Sequence, residues 1–370
     1  MRRTALFAAA FCLLLFCTIL NAQQFPKPAI SGTAASRPPT IHLDVVVKDS
    51  SGTAVSGLPK QYFTVLDNGQ PQKLVSFMQV DTKDNPSAVH VLIVMDMINL
   101  GYNSVTWGRE QLAEYLKQEG GSLHYRTSIA AMTEDGLKMM SGSTTDASVL
   151  QTEFNKIPSQ RRMVEQSAGW QGMTQLLTQS LEQFTQILAI EKTRPGRKMM
   201  LFISPGWPML GWVGSEEDLN QRRWVFDIDV DLTDTIVDAR TAIYRLDPFE
   251  VGGHHDGDHD PFYYQDFLKP MTKPSDATYP YLGLGVFAIH SGGQVLLTGK
   301  DVAGEINSAM RDAGTYYELT YATPPAGGPN KFHAIDVRVN QPGAIARTIA
   351  GYYADPQSVE QQAKKKKKKH

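Results

Sequence analysis

The order of apolar and polar positions divides the chain into two kinds of pattern. From residue 88 onwards, short apolar runs alternate with stretches in which apolar residues recur every three or four positions. The runs 91–95 and 199–203 are wholly apolar, as is typical of parallel strands that are covered on both faces. The stretch 170–192 places its apolar side chains on one face of a helix. Strands and helices therefore alternate over most of the chain.

This alternation predicts strands at 89–96, 126–132, 198–204, 241–246, 293–297 and 315–321, and helices at 105–119, 146–156, 170–192, 218–240, 281–290 and 301–312. Such an order is typical of an α/β fold with a doubly wound, mostly parallel sheet. We therefore expect one α/β domain over residues 88–322.

Both ends of this domain are flanked by sequence with a period of two, which indicates strands. Residues 39–80 contain alternating runs on either side of Asn68-Gly69, a dipeptide that favours a hairpin turn. A second alternating region lies at 330–353. About 40 residues bury little core alone, so we expect the 39–80 segment and the 330–353 strands to pair in one small flanking β module.

The two termini differ in composition from the rest of the chain. Residues 1–22 have two arginines, an apolar run and a final small residue, Ala22, which predicts a cleaved signal peptide and a secreted or periplasmic protein. Residues 23–38 are rich in Pro, Ser and Ala and are expected to be a linker. Both cysteines, Cys12 and Cys17, lie in the predicted signal peptide, so the mature chain has neither a disulfide nor a thiol nucleophile.

The formal net charge of −2 hides a basic end, because residues 364–369 are consecutive lysines. We expect 354–370 to be a disordered basic tail. The rest of the sequence is acidic and offers no basic surface for nucleic acid. Membrane contact is expected only through the signal segment or this tail.

Several short motifs occur in a characteristic order. They are Asp44-Val45-Val46-Val47-Lys48-Asp49 with Gly52 and Gly57-Leu58, then Phe63-Thr64-Val65-Leu66-Asp67-Asn68-Gly69, a strand that ends in Asp96, Gly196-Arg197-Lys198 with the apolar run 199–203 and Ser204-Pro205-Gly206, and finally Tyr316-Tyr317-Glu318-Leu319-Thr320-Tyr321 and Gly351-Tyr352-Tyr353. In this order the chain resembles the von Willebrand factor A (VWA) domain, in particular the VWA-related secreted proteins of Acidobacteria. The resemblance covers residues 40–353 and implies a Rossmann-like fold that binds other proteins.

The resemblance also implies a metal-ion-dependent adhesion site at the top of the sheet. Its first acidic ligand corresponds to Asp96 and its threonine to Thr174. The two serine positions are Ile98 and Leu100, and the second aspartate position is Pro205, so these three supply no side-chain oxygen. The site is therefore degenerate. Either Asp96, Asn99 and Thr174 hold a weakly bound Mg²⁺ or similar cation, or Asp96 only accepts hydrogen bonds from the following turn.

A group of large apolar side chains follows the strand that ends near Ser204. Trp207, Met209, Leu210 and Trp212 either form an exposed partner-binding patch or cover the top of the sheet. The loops 96–104, 170–174 and 204–214 are the expected binding surface for a protein partner. On this interpretation the chain is an extracytoplasmic adhesion or protein-binding module and not an enzyme, and it needs no cofactor.

Two other functions stay open on the sequence. The loop His254-His255-Asp256-Gly257-Asp258-His259-Asp260 carries residue types that bind Zn²⁺, and so a metal-dependent hydrolase is one alternative. A structural envelope subunit without a defined ligand is the other. The aspartates between 227 and 234 are spaced by apolar residues and predict an acidic helix face instead of a calcium loop.

Overall fold

A computed structural model describes residues 40–118, 120–158, 169–210, 217–247, 263–297, 301–325, 328 and 330–354. The predicted signal peptide, the linker, the 254–260 loop, Trp212 and the lysine run lie outside the described residues. In the described part of the chain, no helix is both long and apolar enough to cross a membrane.

A seven-stranded sheet forms the centre of the molecule. Its strands are β5 (Val89–Asp96), β6 (Ser122–Thr133), β7 (Gly136–Met139), β8 (Thr144–Asp146), β9 (Arg197–Ile203), β10 (Thr241–Asp247) and β11 (Gln294–Leu297). The order β11-β10-β9-β5-β6-β7 makes β5 a central strand, and the five strands from β11 to β6 run parallel. Only β7 and β8 are antiparallel to their neighbour β6. The predicted mostly parallel α/β sheet is thus present.

Helices cover both faces of this sheet. They are α1 (Tyr102–Gln118), α2 (Ala147–Asn155), α3 (Gly169–Lys192), α4 (Leu219–Asp238), α5 (Leu284–His290) and α6 (Val302–Gly314). Side chains of β5 alternate between two buried cores. Val91, Ile93 and Met95 pack with α1, α2 and α6, whereas Leu92 and Val94 pack with α3, α4 and α5. Burial on both faces explains why the runs 91–95 in β5 and 199–203 in β9 are wholly apolar.

Two antiparallel sheets flank the α/β unit. Their strands are β1 (Thr40–Lys48), β2 (Phe63–Asp67), β3 (Gln70–Gln72), β4 (Leu74–Asp81), β12 (Thr315–Ala322), β13 (Phe332–Val339), β14 (Ile345–Arg347) and β15 (Gly351–Tyr353). One sheet has the order β14-β1-β12-β4 and the other β15-β13-β2-β3. Strands from both ends of the chain therefore pair with each other, and a third buried core lies between the two sheets.

The structure corrects two sequence predictions about these strands. The 315–321 strand was expected in the parallel sheet, but β12 pairs with β1 and β4 instead. The sequence pattern predicted the wrong sheet because this strand follows helix α6, as a strand of the parallel sheet would. The Asn68-Gly69 turn is a hairpin as predicted, with φ values of 49° and 73°. Its second strand is the short β3, whereas β4 belongs to the other sheet.

Candidate functional site

Asp96 lies at the carboxyl end of β5, between the ends of β6 and β9. A tight turn follows, in which the Leu100 amide donates to the Asp96 carbonyl at 3.1 Å, and α1 then begins at Tyr102. This is the edge where an open α/β sheet usually places its ligands. The Asp96 side chain is nevertheless fully buried.

The hydrogen bonds of the Asp96 carboxylate come from within the chain. The Asn99 side-chain amide donates to Oδ1 at 3.0 Å and to Oδ2 at 2.9 Å, and the Asn99 main-chain amide reaches Oδ1 at 3.2 Å. The Ser204 hydroxyl donates to Oδ2 at 2.7 Å. Asn99 Nδ2 also lies 2.8 Å from Ser180 Oγ on α3, so three elements enclose the carboxylate.

Burial raises the pKa of Asp96, because a carboxylate loses its hydration in the interior. The hydrogen bonds from Ser204 and Asn99 oppose this increase, since they favour the charged form. The structure thus surrounds Asp96 with donors instead of other acidic groups. Among the described residues, no group of three or more His, Cys, Asp or Glu side chains could hold a metal ion.

These residues do not fit a divalent cation. Mg²⁺ prefers oxygen ligands and keeps several of its waters, but both Asp96 oxygens face an amide nitrogen and the crevice is closed to solvent. Ile98 and Leu100, at the two serine positions, are buried apolar side chains.

Thr174 is not brought to Asp96 by any described contact. It lies six residues before Ser180 on α3, about 9 Å along the helix axis, and its buried hydroxyl has no hydrogen-bond partner. The structure therefore brings Asp96 and Asn99 together, and it adds Ser204 and Ser180, which the sequence analysis did not assign to the site. Ser204 is the first residue after β9, and Ser180 is a polar residue on the buried face of α3, so both had a recognisable signal.

The loop after β9 is held against the neighbouring strand. Arg245 on β10 is buried, donates to the Pro205 carbonyl and pairs with Asp247 at 2.5 Å. Gly206 has a φ of +101°, and a Cβ there would lie 3.2 Å from the Arg245 guanidinium carbon. Only glycine meets both requirements without strain. The loop is thus closed over the sheet edge, next to Ser204.

The predicted partner-binding patch at this loop needs correction. Trp207 and Leu210 are each only 3% exposed, so they form no surface patch. Trp207 packs its ring against Phe184, Phe202 and Phe287, with ring-centroid distances of 5.1, 6.3 and 6.2 Å. A large indole fills the space between β9, α3 and α5, which explains its burial. Met209 is half-buried beside Gly283.

Comparisons with known proteins place the chain near VWA domains only at low similarity. No family model matches it, and no curated protein matches it. Similar solved structures include the SpRpn10 VWA domain (13% identity, 45% of this chain and 77% of that one, TM-score 0.27), a von Willebrand factor type A protein from Catenulispora acidiphila (9%, 88% and 77%, 0.33) and the manganese-loaded TRAP protein of Plasmodium vivax (7%, 74% and 96%, 0.31). Values this low carry no argument about activity or partners.

Proposed function

We propose that the chain is a VWA-like protein-binding module, of the secreted kind found in Acidobacteria, and that its sheet-top site works without a cation. The observation that carries this proposal is the closed hydrogen-bond set around Asp96. The amide of Asn99 and the hydroxyl of Ser204 take the positions on the carboxylate that a cation would need. The motifs around β5 and β9 and the leader-like residues 1–22 support the family and the extracytoplasmic location.

An enzyme at the sheet edge is not supported by the same contacts. The Ser204 hydroxyl is fully buried, so a substrate could not reach it. The 254–260 loop of the hydrolase alternative lies outside the described residues.

The partner surface we propose is the outer side of the same loops, at the start of α3. Gln171 and Gln175 are exposed there, beside the half-buried Trp170 and Met173. Since Trp207 and Leu210 are buried, the partner does not contact them directly. They support the loops from below, because they pack in the same core as α3.

A pull-down tests the binding surface. The full chain is used as bait for proteins of an envelope and secreted-protein extract, with and without chelator. The double variant Gln171→Arg, Gln175→Arg should lose a partner that the wild type retains, and Asn155→Arg, an exposed residue of α2 on the other side of the sheet, should keep it. A partner retained by the double variant would contradict the proposed surface.

Calorimetry tests the absence of a cation separately. Titration of the chain with Mg²⁺, Mn²⁺ and Ca²⁺ should give no saturable heat, and Asp96→Asn should behave like the wild type. A saturable heat in the wild type that disappears in Asp96→Asn would overturn the cation-free part of the proposal, whatever the pull-down shows. Loss of the partner on addition of chelator would have the same meaning.

A further inference from the structure

A small pocket lies where the flanking strands meet the parallel sheet. Its volume is about 20 Å³, enough for one water molecule or one monatomic ion. The lining residues come from β1, β9, α4, β10, the turn after α5 and the segment before β15 and are mostly polar: His42, Asp44, Arg197, Val237, Arg240, Thr241, Ala242, Ser291, Gly292 and Ile349.

Arg197 is the unusual member of this lining. It is 2% exposed, its guanidinium carbon lies 4.7 Å from the ring centroid of Tyr316, and Nη1 donates to the Asp312 carbonyl at 2.7 Å. Its Nε is buried and has no hydrogen-bond partner. Burying an N–H of a charged group without an acceptor costs free energy, so a ligand that accepts from this atom would stabilise the folded chain.

The other charged side chains discussed at this junction form ion pairs with one another, whereas Arg197 forms no ion pair with a described residue. Arg240 pairs with Asp44 at 2.5 Å and with Glu318 at 2.6 Å. The Asp312 carboxylate pairs with two further cations, Lys48 and Arg347. Arg197, Arg240, Lys48 and Arg347 thus face the carboxylates of Asp44, Glu318 and Asp312, so this set carries one surplus positive charge. The oxygens of Asp44, the acidic group that lines the cavity, are already held by Arg240.

We propose that this cavity binds one monatomic anion, chloride in solution, on the Nε of Arg197. The anion would satisfy the unpartnered donor and neutralise the surplus positive charge in one step. Since the cavity is lined by β1 on one side and by β9 and β10 on the other, the bound anion would tie the flanking strands to the parallel sheet.

Thermal unfolding of the full chain tests the proposal. At constant ionic strength, replacing sodium gluconate by sodium chloride should raise Tm in a saturable way, because a ligand that binds only the folded state stabilises it. Arg197→Met removes the donor and should abolish the chloride dependence. Arg338→Met, at an exposed arginine, is the matched control and should retain it. A wild-type response to chloride no larger than that of Arg197→Met would overturn the proposal.

Crystals of the wild-type chain in bromide give a second test that does not depend on the variant folding. An anomalous peak in the cavity beside Arg197 is expected, because bromide replaces chloride in sites of this size. An ordered water there, with no anomalous signal, would show that the cavity holds water and would refute the anion.

Discussion

Two neighbouring tyrosines of β15 each contact a buried aspartate, and the two aspartates are held in opposite ways. Asp67 accepts from the Tyr352 hydroxyl at 2.8 Å, the Tyr321 hydroxyl at 2.9 Å and His333 Nδ1 at 2.7 Å. Asp229 on α4 is contacted through Oδ2 by the Tyr353 hydroxyl at 2.8 Å, while its buried Oδ1 has no hydrogen-bond partner.

The pKa values of the two carboxyls move apart accordingly. Burial alone would raise the pKa of Asp67, but the bonds from His333, Tyr352 and Tyr321 bring it below its usual value. Burial raises the pKa of Asp229 to about 7, and the single bond from Tyr353 opposes this only in part. Three donors keep Asp67 charged, whereas burial and the nearby charge of Asp234 outweigh the one donor of Asp229.

The hydrogen count at Tyr353 agrees with a protonated Asp229. The Tyr353 hydroxyl lies 2.8 Å from Asp229 Oδ2 and 3.0 Å from the Met271 carbonyl, which are both acceptors when Asp229 is ionised. One hydroxyl hydrogen serves only one of them. When Asp229 carries a proton, it donates to Tyr353 and Tyr353 donates to Met271, so both contacts are hydrogen bonds.

The largest expected effect is a pH dependence that comes from Asp229 alone. Between pH 4 and pH 7 the folded chain keeps a proton on Asp229 that the unfolded chain, with a pKa near 3.8, has released. Its contribution to the free energy of unfolding therefore falls as the pH rises through this range, by up to about 4 kcal/mol. Urea unfolding of the wild type and of Asp229→Asn from pH 4 to pH 8 measures the difference, since the variant cannot titrate.

The wild type is compared with the variant because the contribution of a second group to the free energy of unfolding has the opposite pH dependence. Burial lowers the pKa of His90 to about 4, so its contribution to stability is complete above pH 6.5 and is lost as the pH falls towards 4. This contribution is common to both chains and cancels in the difference. Parallel wild-type and variant curves would show that Asp229 is ionised in the fold, and would contradict the comparison.

Asp67 should respond to the same substitution in the opposite sense. Asp67→Asn replaces a charged acceptor of three hydrogen bonds by an amide whose nitrogen faces donors, and should lower the free energy of unfolding by about 3 kcal/mol at pH 7. Asp229→Asn keeps the pattern of a protonated acid without having to bind a proton, and should therefore raise the free energy of unfolding at pH 7, by up to about 4 kcal/mol. Urea unfolding of both variants is the measurement, and equal costs would remove the distinction between the two sites.

The sequence predicted the central sheet because its strands follow simple physical rules. The runs in β5 and β9 are apolar on both faces, and α3 has one apolar face, so both are recognisable without tertiary information. The position of β12 was not predictable in this way, since its choice of partner depends on contacts with β1 and β4 that are distant in sequence. Asp229 was expected on an acidic helix face for the same reason: nothing local shows that Tyr353 covers it.

The candidate site was predicted in its position but not in its contacts. Asp96 lies at the sheet edge because it ends an apolar strand, and Asn99 lies beside it because the turn is tight. Ser204 and Ser180 are 108 and 84 residues away along the chain, and only the fold brings them to the crevice. Trp207 was ambiguous in the sequence because a tryptophan after a strand fits an exposed patch and a core equally well.

Tyr352→Phe tests how much one donor contributes to Asp67. The variant leaves the carboxylate with two donors and removes a hydrogen bond to a charged group, which should cost about 2 kcal/mol. The free energy of unfolding at pH 7 is the measurement, and the ring stacking of Tyr352 on His333 at 4.8 Å is expected to remain. Tyr353→Phe is the matched variant. Tyr353→Phe should lower the free energy of unfolding less below pH 6, where Asp229 is neutral, than at higher pH. A larger cost below pH 6 would contradict the protonated state.

Asp96 offers the finest test, because burial raises its pKa although several donors contact the carboxylate. Ser204→Ala removes the 2.7 Å bond and leaves the hydrogen bonds from Asn99 and Ile98, so the pKa of Asp96 should rise further. The expected cost is about 1 kcal/mol at pH 7. It should grow as the pH rises, because the folded state then has to ionise a carboxyl with fewer donors, whereas Thr174→Ala, which touches no described partner, should show no such pH dependence. A Ser204→Ala cost that is constant from pH 5 to pH 8 would show that the Ser204 hydrogen bond does not affect the charge of Asp96.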